Sequence, residues 1–153
     1  MAKKDYDDFS SLLSDLQYDL VNTVANEVAE EIKNIETEVI DEVVYNAYDS
    51  NIDRRMNNGG LSDKSNMKEK IATVKNGVLI EVMNETKGNS DYSTMDGYTS
   101  DFIADIIENS EGYGYGLDDY IPKRPFQEIT QNYVDYTDRV DKVVEKSLNK
   151  KGW

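Results

Sequence analysis

The chain contains no cysteine and no histidine. Without cysteine there are no disulfides, no thiolate nucleophile and no cysteine-based zinc site, and a reducing compartment is compatible with the chain. Without histidine the commonest general base, the commonest transition-metal ligand and the usual near-neutral pH switch are gone. A serine or cysteine triad of the familiar kind cannot be built. No apolar run approaches the ~20 residues that span a bilayer, so no membrane partner is expected. The opening Met1-Ala2-Lys3-Lys4 runs into Asp5, Asp7 and Asp8 rather than an apolar stretch, so no signal peptide is expected.

What is present is acid. The 153 residues are 38% hydrophobic and 31% charged, on the polar side of globular composition, with a net charge of −14. This predicts one domain over 1–153 with a modest core, and elements that pack only against neighbours. Such a chain is repelled by bulk nucleic acid and by anionic membranes. The charge is uneven. Residues 1–50 carry thirteen acids against Lys3, Lys4 and Lys33, whereas residues 121–153 carry five acids against seven bases. Two readings stay open: head-to-side contact between identical copies, or two solvated helices that differ in surface charge.

Apolar residues recur in steps of three and four at Phe9, Leu12, Leu13, Leu16, Leu20, Val24, Val28, Ile32, Ile35, Val39 and Val43. With no Pro or Gly between them, the spacing predicts one long acidic helix, or two nearly continuous ones, over residues 6–46. Its opposite face carries Asp15, Asp19, Glu27, Glu30, Glu31, Glu38 and Glu42. Residues 45–68, with Asn57-Asn58-Gly59-Gly60, read as a turn, a short extended piece and a loop. Two β-rich runs flanking Asn76-Gly77 predict a hairpin over 69–83 with a type I′ turn. Residues 84–120 read as loop-rich, and 101–109 fit a short helix or a strand equally well. Phe126, Ile129, Tyr133, Tyr136, Val140, Val143, Val144 and Leu148 give a helical stripe over 125–151, opened by Pro125 and closed by Gly152. The fold class is therefore α+β: a small antiparallel sheet with a β-hairpin, packed by a long N-terminal helix and a C-terminal helix.

Constellations for chemistry are weak. Asp49-Ser50-Asn51-Ile52-Asp53 opens like a calcium-binding EF-hand loop, but Arg54 stands where Gly belongs and Gly60 where Glu belongs. Gly112-Tyr113-Gly114-Tyr115-Gly116 follows no clear strand and opens no helix, so it is no dinucleotide fingerprint. No catalytic residue, cofactor or metal site is assigned, and no enzyme activity is expected. Tyrosine is the dominant aromatic and suits protein contacts. Candidate interface residues are Arg54, Arg55, Tyr113, Tyr115, Arg124, Phe126, Lys142 and Lys146.

The order of the pieces carries a resemblance. A long helix leads into Tyr45–Tyr48, then Arg54-Arg55, Gly59-Gly60-Leu61, a hairpin, Ile107-Glu108-Asn109 before a glycine-rich loop, and Arg124-Pro125-Phe126 opening the last helix. This resembles the neck proteins of tailed bacteriophages, the tail-completion or head–tail joining proteins. Asn109, Ser110 and Glu111 stand between the glutamate and Gly112, where the family has glycine sooner. The resemblance implies a structural virion protein, made in the bacterial host cytoplasm, that forms a ring, usually sixfold. Its partners would be itself and neighbouring neck, connector and tail-tube proteins, with DNA passing through unbound. An acidic DNA-mimic inhibitor is the alternative from charge alone; a carboxylate-based metal enzyme has little support without histidine.

Overall fold

The computed structural model describes residues 5–47, 56, 58–75, 77–88, 103–109 and 123–153. The chain is α+β. One continuous helix dominates it, from α1 (Phe9–Asp19) to α2 (Ala25–Ile40), carried through a wide turn at Leu20–Val24 and extended by another at Asp41–Tyr45. At each wide turn the hydrogen bond spans five residues, Ala25 N to Leu20 O and Asn46 N to Asp41 O. At ~1.5 Å per residue the whole is about 55 Å long. It begins where Asp8 accepts the Ser11 backbone N–H at 2.8 Å, a side-chain cap on an otherwise orphaned donor.

A hairpin of β1 (Met67–Val74) and β2 (Gly77–Asn84) lies along α2. Its register pairs Met67 with Asn84, Ile71 with Ile80 and Val74 with Gly77. The two-residue connection is therefore Lys75-Asn76, not the predicted Asn76-Gly77. Asn76 is outside the described residues, and Gly77 is a strand residue without positive φ. The base of the ladder is tied into the rest of the chain. Asn84 Nδ2 donates to both Glu36 Oε1 and Leu61 O at 2.9 Å, and Glu85 N reaches Asn66 O at 2.9 Å.

Residues 103–109, ambiguous from pattern, form a helix, α3 (Ile103–Asn109). The predicted C-terminal helix is two: α4 (Phe126–Tyr136) and α5 (Arg139–Lys151). The apolar stripe runs unbroken through the junction, so spacing alone conceals the break. At the junction Thr137 is extended (φ −112°, ψ 158°), and its hydroxyl and N–H both turn back to Tyr133 O, at 2.6 and 3.1 Å. Local bonding of this kind competes with helix continuation. The break lets α5 swing back along α2, and it leaves Tyr136 85% exposed. Gly152, at φ 86°, closes α5 as expected.

The core gathers at the C-terminal half of α2, where Ile35, Val39, Ile40 and Val44 meet Leu61, Met67, Ala104, Ile107 and Phe126. Val24, Ala25, Val28 and Ala29 are buried further up the same helix.

Candidate functional site

The motif pieces that are scattered along the sequence meet at one end of α2. Tyr45 is buried, and its hydroxyl accepts the Leu61 N–H at 2.9 Å. Arg124 N donates to Ile107 O at 2.9 Å, and its guanidinium reaches Val44 O at 3.3 Å. Glu108 turns both carboxylate oxygens onto the first turn of α4, taking the N–H groups of Gln127 (2.8 Å) and Glu128 (3.1 Å). A carboxylate there satisfies two orphaned donors and faces the positive end of the helix dipole. Phe126 is fully buried and Arg124 nearly so. Two candidate interface residues thus lie inside the chain, holding the fold together rather than offering surface. Arg54, Arg55, Tyr113 and Tyr115 lie outside the described residues, as do the calcium-like run and the Gly-Tyr loop.

Close by is a polar network that the periodicity did not announce. Glu36 and Lys33 are both buried, on a second helical stripe through Ala25, Ala29, Lys33, Glu36, Ile40 and Val44. Burial pushes the Glu36 carboxyl above its usual range; the Asn84 amide opposes this, and the nearby Glu108 charge adds to it. Thr86 Oγ1 bonds Asn84 Oδ1 at 2.5 Å and Gly60 O at 3.3 Å. For Lys33, burial works against the charged form, but hydrogen bonds to Glu69 (2.5 Å) and Glu30 (3.2 Å) more than offset it.

The acidic face of the long helix is not simply solvated. The basic α5 lies antiparallel on it. Arg139 meets Glu31 through Nε (2.7 Å) and forks onto Glu38 through its two terminal nitrogens (2.5 and 3.0 Å). Ser147 Oγ donates to Glu27, and Lys150 reaches the same carboxylate at 3.2 Å. Trp153 Nε1 donates to Asp19 at 3.0 Å, with Lys151 at 3.3 Å, and the indole stacks on Tyr6 at 5.7 Å. Hydrogen bonds from Ser147 and Lys150 hold Glu27 below the usual carboxylate range, and Arg139 does the same for Glu38. The complementarity read as a contact between copies is therefore satisfied within one chain. Lys142 pairs with Asp138 one turn before it (2.7 Å), and Lys146 lines a surface groove with Asn26, Glu27 and Glu30. Both remain exposed.

Among the described residues, α1 and the hairpin both present open apolar surface. On α1, Phe9 is 73% and Leu13 46% exposed, and Tyr18 stands out on the other side. On the hairpin, alternation aims Ala72, Val74, Leu79 and Met83 away from α2. Val74, Leu79 and Met83 are each almost half exposed. Among the described residues no helix is long and apolar enough to cross a membrane.

The architecture defines an α+β protein built on one long helix, clamped by its own C-terminal helix and carrying an apolar arm. The chain belongs to the YomN family, which it matches over residues 8–150. That family takes its name from a Bacillus prophage protein, so this is a phage-associated protein. No curated protein and no solved structure matches the chain.

Proposed function

We propose that the protein is a non-catalytic structural component of a tailed-phage neck, joining or completing the tail at the head–tail junction within a ring through which DNA passes. The observation that carries this reading is the α1 arm. Phe9 and Leu13 remain exposed at the end of a helix far longer than the core it serves. Apolar surface of that kind is what a subunit presents to a neighbour. Family membership supplies the phage setting, and the resemblance to neck proteins is the ground for proposing the head–tail junction. On this reading the protein is made in the host cytoplasm and ends in the virion, beside connector and tail-tube proteins. A net charge of −14 suits a wall past which phosphates slide without being held.

The acidic-mimic alternative requires a free row of carboxylates. Along the long helix, Asp19, Glu27, Glu31 and Glu38 are engaged by α5 instead. That occupancy favours the assembly reading. The test is labelling of purified particles with gold-conjugated antibody to this protein. The neck reading expects label at the head–tail junction; particles free of the protein would overturn it.

A further inference from the structure

We infer that copies of this chain contact one another by laying the α1 arm of one on the outer hairpin face of the next. The contact rests on the assembly reading above.

The two surfaces match in chemistry. Phe9 and Leu13 form the exposed part of the arm's apolar stripe, with Leu12 and Leu16 half-buried beside them. Around that stripe stand Asp5, Asp7, Asp8 and Asp15, all exposed, and residues 5–19 hold no base. The outer hairpin face presents Ala72, Val74, Leu79 and Met83. Lys68 and Lys70 extend that face and Lys75 stands at its tip, all exposed; of the acids, Glu81 is paired with Lys70 at 3.2 Å and exposed Glu85 follows the end of β2. An apolar stripe edged by carboxylates thus has a counterpart edged by ammonium groups, the arrangement that fixes partner and orientation.

The two surfaces cannot meet within one chain. The inner hairpin face is spent on α2, where Glu69 binds Lys33 and Asn84 binds Glu36. The outer face therefore points away from the helix, while α1 continues the helix axis. Their union is intermolecular and joins unlike patches, so it propagates from copy to copy and closes into a ring or runs on as a filament. This differs from a contact through α5, whose charges meet carboxylates of their own chain.

The absence of cysteine makes the test direct. Full-length Leu13→Cys and Leu79→Cys chains, both changed at exposed positions, are mixed and oxidised. A Leu13→Cys and Asn149→Cys mixture serves as control, and far-ultraviolet circular dichroism confirms that each variant is folded. The Leu13–Leu79 pair is expected to give about tenfold more cross-linked heterodimer than the control, and Lys68→Glu with Lys75→Glu to suppress it. Self-association without that preference would overturn this contact and leave the neck reading standing. A chain that stays monomeric and uncross-linked at high concentration would overturn it too, while the particle-labelling experiment judges the neck reading independently.

Discussion

Glu108 caps a helix it does not belong to: its Oε2 accepts the Gln127 backbone N–H at 2.8 Å across nineteen residues of chain. The second oxygen takes the next N–H, so one side chain ties α3 to the start of α4. Replacing it with alanine leaves two donors without that partner. Glu108→Ala is expected to cost about 1–2 kcal/mol in urea denaturation. Glu108→Gln keeps a single good acceptor and should lose less. An unchanged midpoint in the alanine variant would show that water caps α4 equally well.

Glu36 gives a pH dependence with the opposite sign to that of Glu27 and Glu38. Its folded-state pKa is raised by burial, so it favours the fold while protonated. That contribution is present below the unfolded pKa and is lost as pH rises through the folded one. Above the folded pKa the buried carboxyl is therefore a cost. Glu36→Gln keeps an acceptor for Asn84 and should raise Tm at pH 7.5 by roughly 2–4 °C. The gain should fade as pH falls toward the acid range. Glu27 and Glu38, whose pKa values are lowered, act in the other sense, and their contribution is lost as pH falls. A Glu36→Gln gain that did not depend on pH would point to packing rather than ionisation.

How far the sequence leads is clearest along the helices. The long helix followed from an uninterrupted stripe, and the hairpin from alternation around Asn76-Gly77. The register did not follow: it pairs Val74 with Gly77, and the hairpin base is tied through Asn84 to partners 23 and 48 residues away, contacts that local alternation does not encode. The break at Thr137 was hidden because the stripe keeps step across it, although Tyr136 ends up facing water. The basic C-terminus and acidic N-terminus were visible as charge. Whether they meet in one chain or between two is a question of topology, which charge counting cannot answer. Arg124-Pro125-Phe126 was legible as the opening of the last helical stripe, yet Arg124 and Phe126 serve the interior. The Lys33–Glu36 stripe was missed because its centre is charged; the steps of four and three from Ala25 to Val44 were the available signal.

Arg139 allows a comparison of two ion pairs on one guanidinium. Glu31 is 18% exposed and Glu38 62%. Exposed pairs contribute about 0.2–1 kcal/mol after screening and side-chain entropy. Double-mutant cycles should therefore give a larger coupling for Arg139–Glu31 than for Arg139–Glu38, despite the forked geometry of the latter. Equal couplings would mean that the fork compensates for solvent.

The two glycines before Leu61 should respond differently to a methyl group. At Gly59, φ is 77° and the space around a Cβ is open, so Gly59→Ala carries only the left-handed penalty of about 1–2 kcal/mol. At Gly60 a Cβ would collide with the Met56 backbone. Gly60→Ala is expected to be the more damaging, because backbone must move and the buried Thr86 bond and the part-buried Asn66 bond to Gly60 O move with it. Thermal denaturation of both variants decides the order.

The most direct test of the neck reading is electron microscopy of lysates from the cognate phage with this gene disrupted, and with the intact gene restored in trans. Separate heads and tails that rejoin on complementation are expected. Normal, joined and infectious particles without the gene would contradict it.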